Sequence, residues 1–167
     1  MLIYHPRNDT YHCILRMLCI QALLEQKEID FVKLRIIDFY FVFPHLIREI
    51  KLPQISGSST LRAMSKLLDI PYEKMPDKKR LFSEMGDFQI QAIHILKSMN
   101  ILEECNGMIS KKEEFYGEKI KKLISNNQYG SSELFQSIVE LLYKIPLYGP
   151  TGLKQRTGLM EYRYDAI

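Results

Sequence analysis

The chain has 167 residues, enough for one domain with a proper core, since a chain near ~150 residues buries roughly 70% of its unfolded surface. Hydrophobic residues make up 46% and charged residues 26%, which excludes long disorder. The 23 Lys+Arg against 20 Asp+Glu leave a net charge of only +3, too small an excess for a dedicated nucleic-acid binder.

The opening Met1 to Arg7 lacks a signal-peptide layout, and Cys13, Cys19 and Cys105 are an odd number with no CxxC pair. Both features lead us to expect a reducing, cytoplasmic setting. Asn8-Asp9-Thr10 caps a helix from Tyr11 to about Gln26. Its apolar residues surround most of the axis, as in a central core helix, and leave His12, Arg16, Gln21 and Glu25 for wetter positions. The apolar run Cys13–Leu24 is interrupted by Arg16 and Gln21 and is too short for a membrane span.

Asp30 caps a second helix that continues to about Tyr40, and Pro44 suits the first turn of another through Ile50. Ser59 or Thr60 starts a modest helix to about Leu68. Between Asp77 and Lys112 the pattern reads as a helix to Met85, a break at Gly86, a helix from Asp87 to Met99, and a hairpin turning on Asn106-Gly107. On the second of these helices Phe88, Ala92, Ile95, Leu96 and Met99 share one face. Helix, turn, helix, hairpin is the order of a winged helix. Glu113–Asn126 is helical and basic on one side, and Ser131-Ser132 begins a helix that ends near Tyr143. The tail from Ile145 is irregular, with strand-like alternation from Leu159 to Asp165.

The fold class expected is therefore mainly α, with a winged-helix-like module and a C-terminal irregular or strand tail. We expect one domain over 1–167, divided into a helical part (1–70), the winged-helix-like module (75–112), C-terminal helices (113–144) and a docking tail (145–167).

Catalytic and cofactor motifs are not found: there is no P-loop, glycine fingerprint, nucleophile elbow or HExxH, and the four histidines lack metal-ligand spacing. No catalytic, cofactor or metal residue is assigned. A Cys/His pair could arise only through tertiary contact. Glu103-Glu104 and Glu113-Glu114 read as solvated ends, and Asp38, set among apolar residues, reads as paired with an arginine. The second helix of the winged module would offer Gln89, Gln91, His94 and Lys97 to DNA, with Asp87 nearest the phosphates, which is a poor DNA surface. Lys111, Lys112, Lys119 and Lys122 are the best candidates for DNA contact. Candidate partner contacts are Phe39, Tyr40, Phe41 and Phe43, which cannot all face inward on one short helix end, and Leu153, Arg156, Tyr162, Arg163 and Tyr164 in the tail.

Four short boxes carry a family resemblance: Tyr4-His5-Pro6, Asp9 through Leu18, Asp38 through Pro44, and Gly152-Leu153-Lys154. In these the chain resembles the middle component of ABC three-component systems, including Lamassu-type bacterial defence. The resemblance implies a small, winged-helix-like, non-catalytic subunit. Its partners would be an SMC/Rad50-like ABC ATPase and an effector such as a nuclease, with double-stranded DNA met inside the assembled anti-phage and anti-plasmid complex. The competing readings are a winged-helix transcriptional regulator, dimeric through a helix, and an enzyme whose site carries no recognised motif.

Overall fold

The computed structural model describes residues 6–24, 28–72 and 75–161. After a 3₁₀ turn at Pro6–Asn8, the Asp9 carboxylate accepts hydrogen bonds from the backbone N–H groups of Tyr11 and His12 and so starts helix α1, Thr10–Leu23. Strand β1 is Glu28–Asp30, and Asp30 then caps α2, Phe31–Val42, through the N–H groups of Val32 and Lys33. Pro44 opens a 3₁₀ helix, Pro44–Glu49, and α3 spans Ser58–Lys66. Arg48 clasps the end of α3 by donating to the carbonyls of Ser65, Lys66 and Leu68.

Helix α4 runs without a break over Lys78–Ser98, which corrects the two-helix reading of this stretch. Gly86 is not a helix stop. A Cβ there would lie 3.0 Å from the Arg35 guanidinium, so the missing side chain makes room for a neighbour. The buried face is also different from the one expected: Leu81, Phe82, Met85, Gln89, Ala92, Ile93 and Leu96 point inward, while Ile95 and Met99 are exposed. The helix-turn-helix expected within 75–112 is therefore absent, but the hairpin that follows is present.

Strands β2 (Leu102–Cys105) and β3 (Met108–Lys111) pair antiparallel across Asn106-Gly107, both with positive φ as a tight hairpin demands. Strand β1, for which no local pattern is evident, adds to β3 with Ile29 opposite Ile109, so the sheet order is β1-β3-β2. A 3₁₀ turn at Glu113–Tyr116 leads to α5 (Glu118–Ser125), α6 (Gln128–Ser131) and α7 (Glu133–Lys144). Last comes α8, Leu153–Thr157.

The buried apolar side chains form a single cluster. Helix α1 packs against α2, α4, α5, α6 and α7, so its expected central place is observed. Its wet and dry positions differ from expectation: Arg16 and Gln21 are fully buried, whereas Tyr11 stands in solvent. The tail is not strand-like where it is described. Leu147, Leu153 and Leu159 are buried, and Gly152 lies so close to the Tyr148 carbonyl that a Cβ would sit 2.3 Å from it. The residues beyond Glu161 lie outside the described structure.

Candidate functional site

The densest chemistry in the molecule is a polar centre sealed between α1, α2 and α4. Arg16 and Asp38 form an ion pair with Nε 2.6 Å from Oδ1, and both side chains are fully shielded from solvent. A second guanidinium nitrogen of Arg16 donates to Asp38 Oδ2 at 3.3 Å, so the contact is bidentate. Gln89 Nε2 donates to the same Oδ2 at 2.8 Å, and Gln89 Oε1 accepts from Arg35 Nε at 2.8 Å. The Arg35 guanidinium also lies 4.7 Å from the centre of the Phe82 ring. Asp38 thus found the arginine that its apolar setting required.

Burial and the ion pair set the protonation of this centre. Burial pushes the Cys13 thiol pKa up, and the Asp38 carboxylate, 3.9 Å away, raises it further. Both effects favour the thiol over the thiolate, which is the nucleophilic form. Burial alone would disfavour the Arg16 cation, but Asp38 outweighs it and the net pKa is raised. Cys19 is pushed up to about 11 by burial. The arrangement works as a latch that fixes three helices in one register.

The aromatic box proposed for partner contact is core. Phe39, Tyr40, Phe41 and Phe43 are all buried within the chain, which corrects the expectation that they cannot all face inward. They can all face inward because α2 is enclosed by neighbours on every side. Phe39 packs against Phe82 on α4, and Phe41 lies between Tyr129 and Phe135 near α6 and α7. Burial also raises the Tyr40 phenol pKa.

The tail candidates fare similarly. Leu153 is buried, and the half-buried Arg156 donates to the backbone carbonyls of Thr151 and Lys51, so its bonds are made within the chain. Tyr162, Arg163 and Tyr164 lie outside the described residues.

Of the lysines proposed for DNA, two are already engaged. Lys111 Nζ donates to the Gln21 and Leu24 carbonyls at 2.9 and 3.0 Å, capping the end of α1, and its pKa is lowered by burial. Lys112 donates to Asn100 at 2.7 Å and lies 4.0 Å from Glu103. Lys119 and Lys122 are exposed on α5. Gln89, expected on a base-reading face, is committed to Asp38.

Sequence reasoning missed a groove of about 510 Å³ between the end of α1, the 113–116 turn, α5 and α6. Ala22, Phe115, Ile124 and Gly130 line it together with Lys111 and Lys121. A signal for it existed in α5, where Ile120, Leu123 and Ile124 recur at helical spacing opposite lysines, yet no residue of that helix is buried. Among the described residues, no group of three or more His, Cys, Asp or Glu side chains is placed to hold a metal ion, and no helix is long and apolar enough to cross a membrane.

The model of the family described as ABC-three component (ABC-3C) system Middle Component 5 matches residues 2–165. No curated protein and no solved structure matches the chain.

Proposed function

The chain belongs to the Middle Component 5 family of ABC-three-component systems, whose middle components work with the other components of the system, and on that premise we propose that it is a non-catalytic bridging subunit. In this reading it joins an SMC-like ABC ATPase to an effector, such as a nuclease, in a Lamassu-type complex directed against phage and plasmid DNA in the cytoplasm. The observation that carries it is the family match over nearly the whole chain. The chemistry of the interior supports it, because the richest polar cluster is sealed from solvent and held together by an ion pair.

A winged-helix regulator is the second reading, favoured by one feature. We take as support the order α1-β1-α2, then α4-β2-β3, with sheet order β1-β3-β2, in which residues 43–77 would be an insertion before the third helix of such a module. Charge argues against DNA as its main ligand. The hairpin presents exposed Glu103 and Glu104, and Lys111 and Lys112 are held by intramolecular bonds. Phosphate-binding surfaces need free cations at such places. We read the module as a protein-docking scaffold.

The test is co-expression with the other two components, one of them tagged. Retention of this chain through a sizing column, with no ATP or DNA turnover by the chain alone, is the expected outcome. Hydrolysis by the isolated chain, or its failure to join either component, overturns the reading.

A further inference from the structure

The groove beside α5 is open and mainly apolar, with Lys111 and Lys121 in its lining and no carboxylate there. We propose that it is the docking site for an acidic amphipathic helix contributed by another component of the system, an inference that rests on the bridging reading above.

Three features select that occupant. The lining includes Ala22 from α1, a small exposed residue that lets a helix approach closely, together with the Phe115 ring and Ile124. Apolar anchors spaced i, i+3 or i+4, i+7 along a partner helix fit such a surface. Charge supplies the rest. Lys121 brings an exposed ammonium group to the groove, and Lys119 and Lys122 add exposed positive charge on the same short helix, whereas Lys111 is held by the carbonyls of Gln21 and Leu24. Among the described residues Lys121 pairs with Glu118, at 3.3 Å, and both side chains are largely in solvent. Such a pair contributes little and gives way readily to a better carboxylate.

Other occupants suit the groove less well. A nucleic-acid backbone would leave the apolar lining unused, and the Lys111 ammonium is already donating to two carbonyls. A small molecule would keep much of its surface in water, whereas drug-like ligands are usually 70–90% enclosed. The exposed Tyr116 ring at the groove edge suits a macromolecular contact, since tyrosines are enriched there.

The experiment uses the full chain with two charge-introducing variants, Ala22→Glu and Lys121→Glu, both at exposed positions. Each is first checked for an unchanged circular-dichroism melt. A variant that loses its fold is replaced by Ser125→Glu, another exposed position on the same wall. The probes are the tagged partner components and synthetic peptides of about 20 residues tiling their sequences, a length that spans ~30 Å as a helix.

We expect one component to bind the wild type through a peptide with helically spaced apolar anchors flanked by Asp or Glu. Its affinity should fall about tenfold or more in either variant, because like charges opposed in an interface cost heavily. Ile90→Ser, on the exposed side of α4, should leave binding unchanged. If the wild type assembles and both groove variants assemble equally well, the groove is not the dock and the bridging reading survives. A bound peptide without acidic flanks also overturns the proposal. So does binding of a short DNA duplex that Lys121→Glu weakens and Ala22→Glu does not. If the wild type joins neither component, the bridging reading and the proposal fall together.

Discussion

Helices α2 and α5 lie in the same chain and obey opposite rules. Seven of the 12 residues of α2 are buried, from Leu34 through Phe41, including the charged Asp38. None of the eight residues of α5 is buried, although it has a clear apolar stripe. The difference lies in patterning. Apolar residues surround α2 on all sides, so water can be excluded only if other helices enclose it. A helix with one apolar stripe needs only one neighbour and leaves its polar side free. The region that looked most like a binding surface, a run of aromatic rings, is the centre of the core, and the plain lysine-bearing helix borders the groove.

Three measurements break or sharpen this contrast. The largest effect is expected at the polar centre. Asp38→Ala strands the Arg16 cation in the interior, and losing one partner of a buried pair typically costs about 3–5 kcal/mol. Urea unfolding should show it, and the double variant Arg16→Met/Asp38→Leu should recover much of the loss. If Asp38→Ala is nearly neutral, the centre is not a latch.

Next comes the aromatic box. Phe41→Ala removes a ring packed 4.7 Å from Phe135 and should cost about 3 kcal/mol or more, since buried Phe→Ala changes fall in that range. A stable variant that merely fails to bind its partners would return the box to the surface.

The smallest effect has the opposite sign. The Gln21 side chain is buried, and among the described residues neither of its amide atoms has a hydrogen-bond partner. Gln21→Met keeps the shape and removes the orphaned polar atoms, so it should stabilise by about 1 kcal/mol, given that an unsatisfied buried group costs about 1–3 kcal/mol. A loss of stability on thermal unfolding would mean that something outside the described residues, or a bound water, satisfies that amide.

Several short-range signals in the sequence match the structure, though the caps expected at Ser59 or Thr60 and at Asp87 are not among them. Asp9 and Asp30 cap helices because a carboxylate reaches N–H groups two and three residues on. Asn106-Gly107 turns a hairpin because both residues take positive φ. The pairing of Asp38 with an arginine followed from the cost of an unpaired carboxylate, although nothing local showed that the arginine was Arg16, 22 positions away. Gly86 misled for the same reason. As a local signal it reads as a break, but its purpose is space for Arg35, which lies far off in the chain.

The sequence by itself determined the helical class, the caps at Asp9 and Asp30, the hairpin and, through its four short boxes, the family. Those depend on interactions spanning a few residues, or on a residue pattern that is preserved whatever the chain's conformation. Only the tertiary structure decided that β1 joins the hairpin, that the aromatic box faces inward, that Lys111 caps α1, and that a groove lies beside α5. Each of these is set by which elements meet across the core, and burial is a property of that meeting rather than of any one segment.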